Sequence, residues 1–138
     1  MGLLDVNALV ALAWDSHVHH ARIREWFATT GGSDWATSPT TESGFVRVSS
    51  NPKVLPHPVT IRDALGVLVA FRGLPGHRFL ADDVSITDTD VPVMNGHRQV
   101  SDAHLLTLAR RHQVPLVTFD AGLVALSGGE GVELLTAL

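Results

Sequence analysis

The chain contains no cysteine. That excludes a disulfide scaffold, a thiolate zinc site and a thiol nucleophile. It also lacks any apolar run approaching the ~18–20 residues that cross a membrane, so no membrane association is expected. Basic charge is scarce: 10 Lys plus Arg stand against 14 Asp plus Glu, a formal net charge of −4. Such a balance argues against bulk electrostatic capture of nucleic acid. It leaves open a local site that grips phosphate through metal ions. What remains is 138 residues, 45% hydrophobic and 17% charged. That is enough for one domain over residues 1–138 to bury a core without a staple, and disorder is excluded. The apolar start has no basic leading segment and is broken by Asp5 and Asn7. It is therefore not expected to be a signal peptide, and a cytoplasmic protein is expected.

Short apolar strands alternate with striped helices, which predicts α/β with a mostly parallel sheet. Residues 3–6 read as a buried strand, followed by helical spacing at Ala8, Leu9, Leu12 and Ala13. Ser16 is expected to cap a second helix carrying Ala21, Ile23, Trp26 and Phe27, stopped at Gly31-Gly32. Residues 35–38 form a strand candidate, and Pro39 opens a helix over 40–50. A striped helix is predicted over 59–71, a strand over 78–81 and a polar, turn-rich stretch over 82–92. Ser101 is expected to cap a helix striped by Ala103, Leu105, Leu106 and Ala109. Residues 114–119 read as a buried strand ending at Asp120, 121–126 as a short helix, and 132–135 as a last strand.

Acidic residues gather at the element ends. Asp5 and Asp120 each end an apolar strand, and in parallel sheets those ends border the ligand crevice. A charge there is costly unless paired or bound to metal, although helix capping explains either residue alone. Asp102 lies in a first helical turn, where an acid compensates the helix dipole. Glu42 lies near the start of the 40–50 helix with apolar Phe45 and Val46 three and four residues on; a solvated acid is the ordinary reading. Asn7 and Thr41 could support such acids by hydrogen bonds, or serve in caps and turns. Together, four carboxylates from separate elements offer the oxygen donors that Mg²⁺ or Mn²⁺ prefers. Without those four acids the chain is formally neutral.

These segments resemble the PIN domain, and within it the VapC-type toxins of bacterial toxin–antitoxin pairs. Leu3-Leu-Asp5-Val-Asn7 is similar to that family's first strand, and Thr41-Glu42-Ser-Gly-Phe45-Val-Arg47 to its glutamate helix. Val100-Ser-Asp102-Ala-His104 is similar to its central acidic helix start, and Thr118-Phe-Asp120 to its final acidic strand end. The resemblance implies an α/β/α sandwich and a Mg²⁺- or Mn²⁺-dependent endoribonuclease that hydrolyses RNA phosphodiester bonds with metal-activated water. It assigns catalysis and metal binding to Asp5, Glu42, Asp102 and Asp120. It further implies a VapB-like antitoxin lying in an apolar groove, a toxin homodimer, and transfer or ribosomal RNA as substrate. Many relatives carry a histidine like His97, which could contact phosphate or simply sit in a loop. Nine of the ten basic residues are arginine, and Arg47, Arg98, Arg110 and Arg111 are candidates for phosphate contacts.

Rival constellations fit less well. Asp5-Val6-Asn7 is similar to the opening of haloacid-dehalogenase phosphatases, but Asn7 replaces their second acid. Response-regulator receivers need a lysine after a late strand, and the only lysine is Lys53. His17, His19 and His20 could bind a transition metal, but an exposed helix start is the simpler reading. Asp82, Asp83, Asp88 and Asp90 lack the order of a calcium loop and read as a solvated stretch. Two functional alternatives stand beside the ribonuclease. One is a catalytically silent protein-binding module whose acids are only caps, and the other is a small-molecule phosphatase.

Overall fold

Leu3 and Leu4 are both fully buried but belong to different cores. That split follows from the two-residue side-chain period of a strand. Leu3 packs with Ala36, Leu116, Leu105, Leu106 and Leu123. Leu4 packs with Trp35, Val117, Leu9, Ile23 and Phe45. A sheet apolar on both faces must be covered on both faces, as parallel sheets generally are.

The computed structural model describes residues 1–136. Residues 137 and 138, included in the single-domain expectation, lie outside the described residues. The elements run β1 (Leu3–Leu4), α1 (Val6–Ala13), α2 (His20–Trp26), β2 (Trp35–Thr37), α3 (Pro39–Ser49) and α4 (Ile61–Arg72). They continue with β3 (His77–Phe79), α5 (Val100–Arg111), β4 (Leu116–Thr118), α6 (Ala121–Ser127) and β5 (Val132–Leu134). The strands form one sheet in the order β3-β2-β1-β4-β5. All four pairings are parallel, one step beyond the mostly parallel sheet expected. Helices α1 to α4 cover one face and α5 and α6 the other, giving the expected α/β/α sandwich. No helix among the described residues is long and apolar enough to cross a membrane.

Several boundaries move for local reasons. Val6 belongs to α1 rather than β1, because the Asp5 carboxylate accepts the Val6 N–H at 2.7 Å and starts the helix at once. Ser16 does not cap α2. A turn intervenes and His19 holds the N-cap position without a side-chain cap. Ser101 lies inside α5, since a 3₁₀ turn at His97–Gln99 runs directly into that helix. Phe27–Gly31 continues α2 as a wider π-type turn that the sequence pattern did not signal. β3 starts at His77, one residue early, in register with Trp35.

Other expectations change through contacts. His17, His19 and His20 are partly buried, not an exposed helix start. His20 bonds the Ala11 carbonyl at 2.7 Å, and His19 stacks on Phe119 with ring centroids 4.3 Å apart. The Asp82–Asp90 stretch is pinned rather than merely solvated. Asp82 bonds His104 at 3.0 Å, and Arg111 holds Asp88 at 3.0 Å and Asp90 at 2.9 Å. Arg110 bonds the carbonyls of Ser127 and Glu130. Both arginines therefore have partners within the fold.

One glycine sets how closely the site helices approach. A Cβ at Gly44 would stand 2.5 Å from Val6 Cγ2, so α3 can pack tightly on the start of α1 only without a side chain there. That approach brings the Glu42 helix against the residue next to Asp5.

Candidate active site

The chain moves outward from β1 to β2 to β3, then crosses back to place β4 on the other side of β1. This reversal opens a crevice at the carboxyl ends of β1 and β4, the usual ligand position in a parallel sheet. Asp5 follows β1 directly, and Asp120 lies two residues beyond β4.

Asp5 is 9% exposed. Its Oδ1 accepts from Val6 N at 2.7 Å and its Oδ2 accepts from Thr118 Oγ1 at 2.8 Å. Burial pushes its carboxyl above the ordinary value. The two hydrogen bonds pull the other way, and the Asp120 charge adds to the rise. Asp120 caps α6, accepting from Gly122 N at 2.8 Å, and its own N–H donates to Thr118 Oγ1 at 3.0 Å. Thr118 thus ties two of the acids together.

Asp102 stands in the first turn of α5, where a helix dipole lowers a carboxyl pKa. It is nevertheless raised to about 6, by burial first and then by the charges of Asp5 and Asp120. Desolvation and like charge set the direction of the shift. Three aspartates from three elements share one electrostatic neighbourhood.

Glu42 is held differently. Its Oε2 accepts from Thr37 Oγ1 at 2.6 Å and from Arg72 Nη1 at 2.6 Å. Thr37 ends β2, so Glu42 also reaches the carboxyl edge of the sheet, one strand from β1. Thr37 also meets His77 Nε2 at 2.7 Å. Because the single hydroxyl proton of Thr37 goes to Glu42, His77 Nε2 carries a hydrogen and donates. Burial and the Arg72 charge lower the His77 imidazole below its ordinary value, and Glu42 partly opposes them. Arg72 also lies 4.5 Å over the Phe79 ring.

The supporting residues fall out unevenly. Asn7 Oδ1 accepts from Phe119 N at a long 3.5 Å, linking α1 to the turn that carries Asp120. Thr41 does not bond an acid. It forms a capping box with Ser38, accepting the Ser38 N–H at 2.9 Å. Arg47 lines a groove beside Glu42, and His97 and Arg98 are exposed on the turn that enters α5. Sequence reasoning missed Thr37, Thr118, Arg72 and His77. For the two threonines a signal existed: each closes a buried strand just before a candidate acid.

The donor chemistry suits a hard divalent cation: carboxylate oxygens near enough that the Asp120 charge raises Asp5 and the Asp5 and Asp120 charges raise Asp102. Among the described residues, no three His, Asp or Glu side chains converge into a ready-made cage. The set is matched to such a cation in kind and charge.

The PIN domain family model matches residues 2–128. Ribonuclease VapC38 of Mycobacterium tuberculosis is 67% identical over 141 aligned positions, covering 100% of both chains. Ribonuclease VapC39 of the same species is 44% identical over 136 positions, covering 96% of this chain and 98% of that one. The crystal structure of M. tuberculosis VapC20, a Sarcin-Ricin loop cleaving toxin, superposes with a TM-score of 0.68 at 15% identity. That alignment covers 99% of this chain and 100% of VapC20, and it establishes shared fold.

Proposed function

The chain belongs to the VapC ribonuclease family of PIN domains, and from that premise we propose that it is a Mg²⁺- or Mn²⁺-dependent endoribonuclease toxin acting in the cytoplasm as one domain. The observation that carries the reading is that Thr118 ties Asp5 and Asp120 together at the switch point of the sheet, with Asp102 near enough for both charges to raise its carboxyl. Three carboxylates that repel one another at a crevice form an anionic well for a divalent cation.

Asp5, Asp102 and Asp120 would hold the cation, with Glu42 at the edge of the set. When bound, a divalent cation supplies Lewis acidity, lowering the pKa of the attacking water and offsetting phosphate charge. Thr118 and the Val6 N–H orient Asp5, and the Gly122 N–H orients Asp120. One of these carboxylates would also orient or deprotonate the attacking water during in-line attack on an RNA phosphodiester. Arg47, which lines the groove beside Glu42, and His97 and Arg98, on the turn that leads into α5, would meet neighbouring phosphates.

An apolar groove of about 620 Å³ runs between α3 and α4, lined by Val46, Ile61, Leu65 and Leu68 and reaching Glu42 and Arg47. Ile61 is 60% and Leu65 49% exposed. The groove suits a VapB-like antitoxin segment whose end would reach the acids. A toxin homodimer and a transfer or ribosomal RNA substrate complete the proposal.

The test is cleavage of total tRNA and rRNA by purified toxin with Mn²⁺. Activity should vanish with excess EDTA and in Asp5→Asn and Asp102→Asn. Cleavage that persists unchanged under any of these conditions sinks the reading.

A further inference from the structure

Glu42 already has a cation. Arg72 Nη1 meets its Oε2 at 2.6 Å, and the same oxygen takes the Thr37 hydroxyl at 2.6 Å. The Glu42 side chain is only 16% exposed, so this compensation is little weakened by water, while Arg72 is 42% exposed. Arg72 is also fixed from its far side, with its guanidinium 4.5 Å over the Phe79 ring. Phe79 stands opposite Thr37 in the β2–β3 register, so the two contacts that orient Arg72 rest on one pair of strand residues. Asp5, Asp102 and Asp120 form the contrasting group: among the described residues none of them has an ion-pair partner, and Asp5 and Asp120 share only the Thr118 hydroxyl at 2.8 and 3.0 Å.

We infer that Arg72 is a positioning residue that holds Glu42 out of the cation-binding set, so that the three aspartates take the first divalent cation without it. The inference rests on the cation-dependent reading above. A guanidinium bound to Glu42 competes directly with a divalent ion for its negative charge. It also repels an ion held by the neighbouring aspartates. Glu42 becomes available only when Arg72 leaves, and its exposed side gives it room to do so. An anion that can replace the carboxylate as its partner, such as a phosphodiester, has the chemistry to draw it away.

The experiment is calorimetric titration of the full chain with Mn²⁺ alone, without RNA. Arg72→Met should bind Mn²⁺ at least about threefold tighter than wild type, and Arg72→Lys, which keeps the charge, should stay within about twofold. Glu42→Gln should leave wild-type affinity within about twofold while Asp102→Asn weakens it at least about tenfold, and Arg72→Met with Glu42→Gln should lose the gain. Equal weakening by Glu42→Gln and Asp102→Asn overturns the inference alone, as does an unchanged Arg72→Met. No Mn²⁺ binding in any form overturns the cation reading together with it. Should Arg72→Met fail to fold by circular dichroism, the comparison of Glu42→Gln with Asp102→Asn decides.

Discussion

Thr118 Oγ1 donates to Asp5 Oδ2 at 2.8 Å, across 113 residues of chain. The bond joins the ends of two adjacent parallel strands, so the acid at one edge is aimed by the neighbouring strand as well as by the Val6 N–H of its own turn. The same oxygen accepts from Asp120 N at 3.0 Å. One hydroxyl therefore sets the spacing of two acids.

Thr118→Val keeps shape and removes that hydroxyl. The groups that orient metal-binding side chains typically cost about 10–100-fold in affinity or activity when lost. Thr118→Val should lower Mn²⁺-dependent RNA cleavage by about that factor with the fold retained, and Thr118→Ser should recover most of it. Single-turnover cleavage rates, with circular dichroism as the folding check, decide the matter. Equal rates for the valine and wild-type forms contradict it.

Asp102 makes the fold's stability depend on pH. Its carboxyl lies near 3.8 in an unfolded chain and at about 6 in the fold. The folded state binds this proton more tightly. The stabilising contribution is therefore complete below the unfolded pKa and is lost as pH rises through about 6. Asp102→Asn mimics the protonated form and escapes that loss. Melting temperatures in EDTA should differ least near about pH 4 and increasingly favour the asparagine form toward about pH 7. A difference that does not vary with pH contradicts the assignment. The same variant should lose Mn²⁺ stabilisation, so a more stable protein is expected to be an inactive one.

Gly44→Ala tests the approach of α3 to α1. Alanine gains about 1 kcal/mol over glycine in helix propensity, whereas overpacking a core typically costs about 1–3 kcal/mol. With a Cβ 2.5 Å from Val6 Cγ2, the clash should win and the variant should be less stable in urea. Adding Val6→Ala should make Gly44→Ala neutral or favourable, a coupling of about 1 kcal/mol in a double-mutant cycle. Additive effects would show that the two helices can move apart freely.

Leu65→Glu tests the groove. Leu65 is 49% exposed, so a charge there should leave folding and RNA cleavage within about twofold of wild type. Its introduction into an apolar contact should abolish inhibition by a co-expressed antitoxin. Retained inhibition would move the antitoxin to another surface.

Much of the architecture was legible in sequence because it depends on local order. Apolar runs of strand length alternate with striped helices, and that alternation specifies a two-faced parallel sheet. Pro39 after Trp35-Ala36-Thr37 marked the start of α3, and the stripe through Leu105 and Leu106 marked α5. The boundaries that moved, at Ser16 and Ser101, did so because a polar residue near a helix start is a possible cap, not an obligatory one. The turns at residues 15–19 and the 3₁₀ segment before α5 decided otherwise.

By itself the sequence determined which residues carry negative charge, which elements bear them, and the family pattern they form. Only tertiary structure decided how those charges are partnered. Asp5, Asp102 and Asp120 come to the same end of the sheet because strand order places β1 beside β4 and α5 packs over that edge. Glu42 finds Arg72 because α4 ends over β3, 30 residues further along the chain. Charge is a property of a residue, whereas desolvation and pairing belong to its neighbours in space. Four acids that read alike in the chain therefore become three that repel one another and one that is already neutralised.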